Sequence, residues 1–312
     1  MKISVIIPCY NSGTTIRNVI MQIIDTINKK DNISYEIIAV NDKSPDNVWD
    51  VLKEISAENN KVKLINLLKN TNKNGAIMAG ITYSSGDYIV ICDDDGQSPV
   101  KKLWELIEPL NLENVDVTVA EYVEYQQNFF KKIVTFINQK TLEIICGVPK
   151  NMKFTNFIAI KRNIVEVIIK TNNSSTYLEG LLFNITKNIE NVKLKEEKRI
   201  SGKSNFTLKK MINMWLDEMT EFSIRPLRIS SVLGAITTFL GFIYGIIIVF
   251  QKIFNIVTVE CYSSIMAAIL FIGGMIMMIL GIIGEYVGRI YIKVNHTPQY
   301  IIKEKINFEK EN

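Results

Sequence analysis

Five short apolar runs punctuate the first 120 residues, at positions 3–8, 35–40, 62–67, 88–92 and 115–120, each rich in β-branched residues. Runs of this length without polar alternation predict strands buried on both faces of a sheet. Between them, segments 14–28, 47–59, 74–84 and 99–110 repeat apolar positions at helical spacing, and the last opens with Pro99 in a first-turn position. Alternating strand and helix predicts right-handed βαβ crossovers and an α/β fold with a mainly parallel sheet. The ligand crevice of such a sheet lies at the carboxyl ends of its strands, so the residues that follow each strand are the candidates for chemistry.

Beyond residue 120 the pattern is less regular. It suggests a helix at 129–146, a strand at 154–160, a helix at 177–188 and a strand at 192–198 ending at Arg199. Over 207–224, Leu208, Met211, Trp215, Met219 and Phe222 recur at three- and four-residue steps. That is an amphipathic helix, packed on the globular core or lying in a membrane interface. Two apolar stretches follow, 229–251 and 263–288, each long enough at about 1.5 Å per residue to cross a hydrocarbon layer of about 30 Å. Arg225 and Arg228 precede the first, and Arg289, Lys293, Lys303 and Lys305 follow the second. The positive-inside rule therefore predicts cytoplasmic flanks and an outward connector. The first eight residues are too short an apolar run for a signal peptide, which keeps the expected amino end in the cytoplasm. The expected units are a globular domain at 1–206, an interfacial helix at 207–228, two spans within 229–288 and a cytoplasmic tail at 289–312.

Charge sharpens the division. Of 36 Lys and Arg and 32 Asp and Glu, only Lys252, Glu260 and Glu285 fall within 229–288. A purely soluble protein is excluded, and so is a polytopic transporter, because the charged part is too large to be loops. The net charge of +4 is spread along the chain and gives no argument for nucleic acid. Four cysteines without a CxxC pair and a single histidine, His296, argue against a disulfide framework or a Cys/His zinc site. Glu285 stands four residues before Arg289, the spacing of a helix-surface ion pair. Gly241, Gly245, Gly273 and Gly274 would allow close helix packing, and with it a homo-oligomer.

Three polar clusters follow predicted strands. Pro8, Cys9, Tyr10, Asn11 and Ser12 come after the first, and Asn41, Asp42, Lys43, Ser44, Pro45 and Asp46 after the second. A carboxylate there could accept a nucleobase hydrogen and Tyr10 could pack on a base or ribose, although the same residue types also favour plain turns. After the fourth strand come Asp93, Asp94, Asp95, Gly96, Gln97, Ser98 and Pro99. Three adjacent carboxylates at a buried strand end repel one another unless a cation neutralises them. A hard divalent ion such as Mg²⁺ or Mn²⁺, held by one or two carboxylates and by substrate phosphates, meets that demand. The alternative is a solvated acidic loop capping the next helix.

Taken together, the three clusters resemble family 2 inverting glycosyltransferases of the GT-A fold, whose pattern is strand-Pro-x-Tyr-Asn, strand-Asp-x-Ser-x-Asp and an Asp-x-Asp metal motif. The run from Asp93 to Pro99 is similar to the Asp-Ala-Asp-Leu-Gln-x-Pro form of polyprenyl-phosphate glycosyltransferases, a group that includes dolichol-phosphate mannose synthases and bactoprenol glucosyltransferases. Arg199, Gly202, Lys203, Ser204 and Phe206 resemble that group's Arg-x-x-Gly-Glu-Ser-Lys-Tyr acceptor loop, with Lys203 and Phe206 departing from it. Asn156 to Ile160 stands where many relatives have Asp-Phe-Arg-Leu-Met, and Thr297-Pro298 where Arg-Pro is usual. Arg225, Pro226 and Arg228, and the run from Gly284 to Tyr291, are similar to hallmarks of the two-span bacterial members.

The resemblance implies transfer of a sugar, with inversion, from a nucleotide-diphosphate donor, expected to be UDP-linked, to a polyprenyl phosphate such as undecaprenyl phosphate at the bacterial inner membrane. It implies that Asp42 reads the base and that Pro8, Tyr10 and Asn11 line the nucleotide pocket. Asp93 and Asp94 contact ribose and donor, Asp95 and Gln97 with Asp93 hold Mg²⁺ or Mn²⁺, and Asp95 and Asp93 carry catalysis. Arg199, Lys203 and Ser204 bind the acceptor phosphate. A family 2 enzyme that extends a glycan, or a non-catalytic membrane scaffold or flippase subunit, are the other expectations. The Gln-x-x-Arg-Trp motif of chain-extending members is not found in the sequence.

Overall fold

Strand β1 (Lys2–Cys9) runs through the middle of an eight-stranded sheet in a computed structural model that describes residues 1–122, 152–171, 178–195, 225–254, 262–294 and 298–308. The other strands are β2 (Ser34–Asn41), β3 (Val62–Leu67), β4 (Tyr88–Ile91), β5 (Val117–Tyr122), β6 (Ile158–Lys161), β7 (Ile189–Leu194) and β8 (Ile302–Ile306). Their spatial order is β7-β5-β6-β4-β1-β2-β3-β8. Strands β1 to β4 pair in parallel, as does β5 with β7, whereas β6 runs antiparallel to both its neighbours and β8 antiparallel to β3. The sheet is therefore mixed, with the expected parallel order confined mostly to its first four strands.

The reason those strands form lies in burial on both faces. Ile3, Val5 and Ile7 of β1 join one core cluster with α1 (Ile16–Ile27), α2 (Val48–Glu58) and α4 (Leu103–Ile107), while Ile6 faces a second cluster on the opposite side. That second side is covered by α3 (Asn72–Thr82), α5 (Arg162–Lys170) and α6 (Leu178–Ile185). Every position from Ile3 to Cys9 is buried, so the unbroken apolar run is what a strand covered on both faces needs.

Several expectations change. The strand expected at 154–160 is confined to Ile158–Lys161, and the one at 192–198 lies earlier, at Ile189–Leu194. Helix α6 ends at Ile185, three residues before its expected end at 188, and α5 was not anticipated because β-branched Ile and Val dominate it. The expected helices at 129–146 and 207–224 lie outside the described residues. Helix α7 (Arg225–Ile253) and helix α8 (Tyr262–Val294) contain apolar windows long enough to cross a membrane, Ser230–Ile247 and Phe271–Gly288, and neither window is buried. They approach each other at Gly234, where an added Cβ would lie 3.8 Å from Ile279 Cδ1. Within the expected tail at 289–312, α8 continues to Val294, and Ile302–Ile306 returns to the sheet and covers the edge of β3.

At the amino edge of the sheet, Glu36 is a buried carboxylate drawn to several partners. Ser4 Oγ donates to its Oε1 at 2.6 Å and Ser85 N at 2.7 Å, while Lys63 Nζ lies 2.8 Å from Oε2. Gly86 N donates to Ser4 Oγ at 2.8 Å, and an added Cβ at Gly86 would fall 2.6 Å from Ser4 N, so only glycine permits this approach. Burial alone would raise the pKa of Glu36, but Lys63, Ser4 and Ser85 outweigh it and bring it from 4.5 down to about 2. A depressed carboxylate contributes stability that is present above its unfolded pKa and is lost as the pH falls toward the folded value. Between pH 6 and pH 3, the detergent-solubilised full chain should lose about 2 kcal/mol more than the Glu36→Gln variant. Urea unfolding at the two pH values measures the difference, and equal losses would remove Glu36 from the acid response.

Candidate functional site

Because β1, β2 and β4 are parallel and in register, with Cys9 beside Asn41 and Ile6 beside Ile91, their following loops open on one edge. The chain proceeds from β1 outward to β2 and β3, then crosses back to β4 on the other side of β1. The crevice between β1 and β4 is thus the switch point at which open α/β sheets bind ligands.

Each loop at this edge contains a residue in the left-handed backbone region: Asn11 (φ 57°) after β1, Lys43 (φ 53°) after β2, Asn72 (φ 64°) after β3 and Gly96 (φ 79°) after β4. Such turns aim backbone N–H groups and side chains in directions that a regular strand-to-helix connection does not. Asn11 N donates to Ser44 Oγ at 2.8 Å and Gly13 N to Asp46 Oδ2 at 2.8 Å, which locks the first loop to the second. Across the switch point, Tyr10 N donates to Asp94 Oδ2 at 2.9 Å, and Thr15 Oγ1 to the Asp94 carbonyl at 2.7 Å.

The sequence candidates divide by environment. Tyr10 is 48% exposed, leaving its ring available to a ligand, whereas Pro8 is buried within β1 and paired with Val40. Asp42 is buried, and its Oδ1 accepts from Thr71 N at 2.6 Å and Thr71 Oγ1 at 3.0 Å. Burial raises its pKa despite those bonds. Asp93 carries two partners: Lys73 forms an ion pair with Oδ1, and Asn156 Nδ2 donates to Oδ2 at 3.0 Å. Asp95 Oδ1 accepts from Gln97 N at 3.0 Å. Arg199, Lys203 and Ser204 lie outside the described residues.

Asp94 has the most perturbed carboxylate of the loop. Burial pushes its pKa up to about 6, the charges of Asp93 and Asp95 add to the rise, and hydrogen bonds from Tyr10 and Ser12 oppose it. Negative charge is therefore in excess where β4 ends. Among the described residues no three His, Cys, Asp or Glu side chains converge into a metal cage. Hard oxygen donors with too few protein ligands suit an ion that completes its shell with waters and phosphates, so Asp95 and its neighbours fit Mg²⁺ or Mn²⁺ better than a zinc-type site.

The profile of Glycosyl transferase family 2 matches residues 4–168, the segment that builds this edge. The chain belongs to that family. A second profile, the GtrB C-terminal hairpin, matches residues 225–290 of this family 2 transferase, which includes most of α7 and α8. A putative glycosyltransferase of Bacillus subtilis (strain 168), CsbB, is 31% identical over 97% of this chain and 91% of its own. A prophage bactoprenol glucosyl transferase homolog of Escherichia coli (strain K12) is 28% identical over 97% of this chain and 99% of its own. An undecaprenyl-phosphate 4-deoxy-4-formamido-L-arabinose transferase of Proteus mirabilis (strain HI4320) is 28% identical over 100% of this chain and 96% of its own.

Sequence reasoning misses Lys73 altogether, and it notes Asn156 only as standing where relatives have Asp, without giving it a role. Lys73 sits in the first turn of α3, where a lysine carries no signal of its own. Asn156 precedes β6, and only the antiparallel pairing of β6 with β4 brings it across 63 positions to Asp93. Asn156 is exposed, so Asn156→Ala should change stability by less than about 0.5 kcal/mol. By freeing one Asp93 oxygen it should lower kcat/KM for sugar transfer about tenfold, equivalent to about 1.4 kcal/mol. Steady-state kinetics on the variant check this, and an unchanged kcat/KM would make the contact incidental.

Proposed function

We propose that this family 2 transferase moves a sugar from a nucleoside-diphosphate donor, of the UDP class, to undecaprenyl phosphate or a related polyprenyl phosphate, inverting the anomeric centre. The observation that carries the reading is the joining of a family 2 site, with its acidic loop at the switch point, to a carboxyl-terminal hairpin of the GtrB type. Relatives named for bactoprenol and undecaprenyl phosphate, similar over nearly the whole chain, support the lipid acceptor.

In this reading Tyr10 and Asn11 border the nucleotide, with Pro8 setting the course of the strand beneath them. Asp42 faces the base while Thr71 fixes its other side, and Asp93 and Asp94 bind ribose and donor. Asp95 and Gln97, with Asp93 adjacent, would hold Mg²⁺ or Mn²⁺. The chemistry supplied by such an ion is neutralisation of the charge on the departing diphosphate. Arg199, Lys203 and Ser204 would bind the acceptor phosphate through charge-assisted hydrogen bonds. A phosphate monoester has a second pKa near 6, so at neutral pH the acceptor is already largely an anion and needs little help from a base. Orientation and electrostatic stabilisation by residues at this edge then supply most of the acceleration.

Placement of α7 and α8 in the inner membrane, with a cytoplasmic catalytic domain and cytoplasmic termini, agrees with the exposure of their apolar windows and the basic residues flanking them. Eight residue steps separate Val294 at the end of α8 from Ile302, which pairs with Leu67 at the end of β3. Fully extended, they span roughly 29 Å, so the membrane exit stays within that reach of the catalytic edge.

Purified full-length protein with undecaprenyl phosphate, Mg²⁺ or Mn²⁺ and a panel of nucleotide sugars should yield one glycolipid, detected by mass, and Asp95→Ala should reduce its formation by at least about a hundredfold. Free sugar or an extended glycan in place of the glycolipid would overturn the acceptor, and full activity of the variant would overturn the metal assignment.

A further inference from the structure

The chain that leaves α8 does more than cover a sheet edge. Ile302–Ile306 pairs with β3, Leu68 N donates to the Ile301 carbonyl at 2.8 Å, and Asn307 Nδ2 donates to the Ser56 and Val62 carbonyls, each at 2.9 Å. These bonds anchor the segment at both ends of β3. Just before the strand, Tyr300 packs against two core clusters, one containing Ile77, Met78 and Ile81 and the other Ala76 and Ala79, all on α3. Its ring also belongs to the cluster that contains Tyr83, the residue that follows the far end of the same helix. At the near end, the Gln299 carbonyl lies 3.4 Å from where a Cβ on Gly75 would stand, two residues from Lys73. Residues 299–300 thus lie against the clusters that seat α3 and against its first turn at Gly75, and that turn carries the lysine that pairs with Asp93.

We propose that Tyr300 is a positioning residue of the donor site, seating α3 so that Lys73 holds Asp93 in the orientation that receives the nucleotide. The inference rests on the donor-site reading above and adds to it a part of the chain beyond the hairpin. A side chain that acts only through Lys73 has no further effect once Lys73 is removed, which separates positioning from general support of the core.

The test is a double-mutant cycle on the full-length protein in detergent, read as the Kd of nucleoside diphosphates in Mg²⁺, with UDP, GDP, CDP, dTDP and ADP tried and the tightest retained. Tyr300→Ala and Lys73→Ala should each weaken binding about tenfold, and the double variant should be no weaker than either alone. Tyr300→Phe, which keeps the ring, should bind within about twofold of wild type. Where Tyr300→Ala is unfolded by circular dichroism, Tyr300→Leu takes its place in the cycle. A double variant weakened about a hundredfold, or a Tyr300→Ala variant (or the Tyr300→Leu that replaces it) that binds like wild type, would overturn the proposal alone. Failure of the wild type to bind any of the five diphosphates would overturn the donor-site reading and this inference with it.

Discussion

Three consecutive carboxylates at the end of a strand buried on both faces impose the constraint around which this molecule is arranged. Their mutual repulsion and partial desolvation oppose ionisation, and the surrounding structure answers with donors drawn from separate parts of the chain. Lys73 comes from α3, Asn156 from the approach to β6, Tyr10 N from the end of β1, and Gln97 N from the same loop. None of these donors is close to its acceptor in sequence except Gln97, so the acidic loop has its shape only when the whole sheet is assembled. The compensation is also incomplete, as the raised pKa of Asp94 records. Residual negative charge at a ligand crevice is what a divalent cation would neutralise.

A second carboxylate, Glu36, shows what stronger compensation looks like. Glu36 has an ion pair with Lys63 and hydrogen bonds from Ser4 and Ser85, and its pKa falls to about 2, while that of Asp94 rises to about 6. Burial acts in the same direction on both. At Glu36 a cation and hydrogen-bond donors outweigh burial; at Asp94 the hydrogen bonds from Tyr10 and Ser12 do not, and the charges of Asp93 and Asp95 add to the rise. The sheet thus keeps a better compensated charge at one end, where it only stabilises, and a less compensated group at the other, where ligands arrive. This polarity follows from parallel strand order, which brings the loops after β1, β2 and β4 together.

How much of this is legible without coordinates depends on where the information resides. Strands β1 to β4 and the helices between them can be read directly, because burial on both faces leaves unbroken apolar runs and each crossover is local. The three polar clusters are legible for the same reason, since they follow those runs immediately. Strand β8 is not, because an edge strand reading Ile302, Lys303, Glu304, Lys305, Ile306 carries the charges that protect edges and so looks like a solvated tail. The roles of Asn156 and Lys73 are hidden for a different reason. Both arise from tertiary register: lysine is ordinary in a first helical turn, and Asn156 shows in the sequence only as a departure from the Asp of relatives.

The direction of β8 bears on how the two halves of the chain cooperate. Running antiparallel to β3, it begins opposite Leu67, at the carboxyl edge, and finishes opposite Leu64. A parallel strand would have begun near Val62, five residues earlier along β3 and roughly 17 Å farther from the catalytic edge. The short connection from α8 would then have drawn the opposite edge, with Glu36, toward the end of α8. With the observed direction, the same few residues keep the acidic loop on the side of the sheet nearest the hairpin. An aqueous donor and a phosphate fixed to a lipid share no solvent, and a charged edge tethered close to an apolar hairpin gives both a common meeting place. The tether also enters the fold beside α3, so the segment that limits the distance to the hairpin is the one that contacts the helix bearing Lys73.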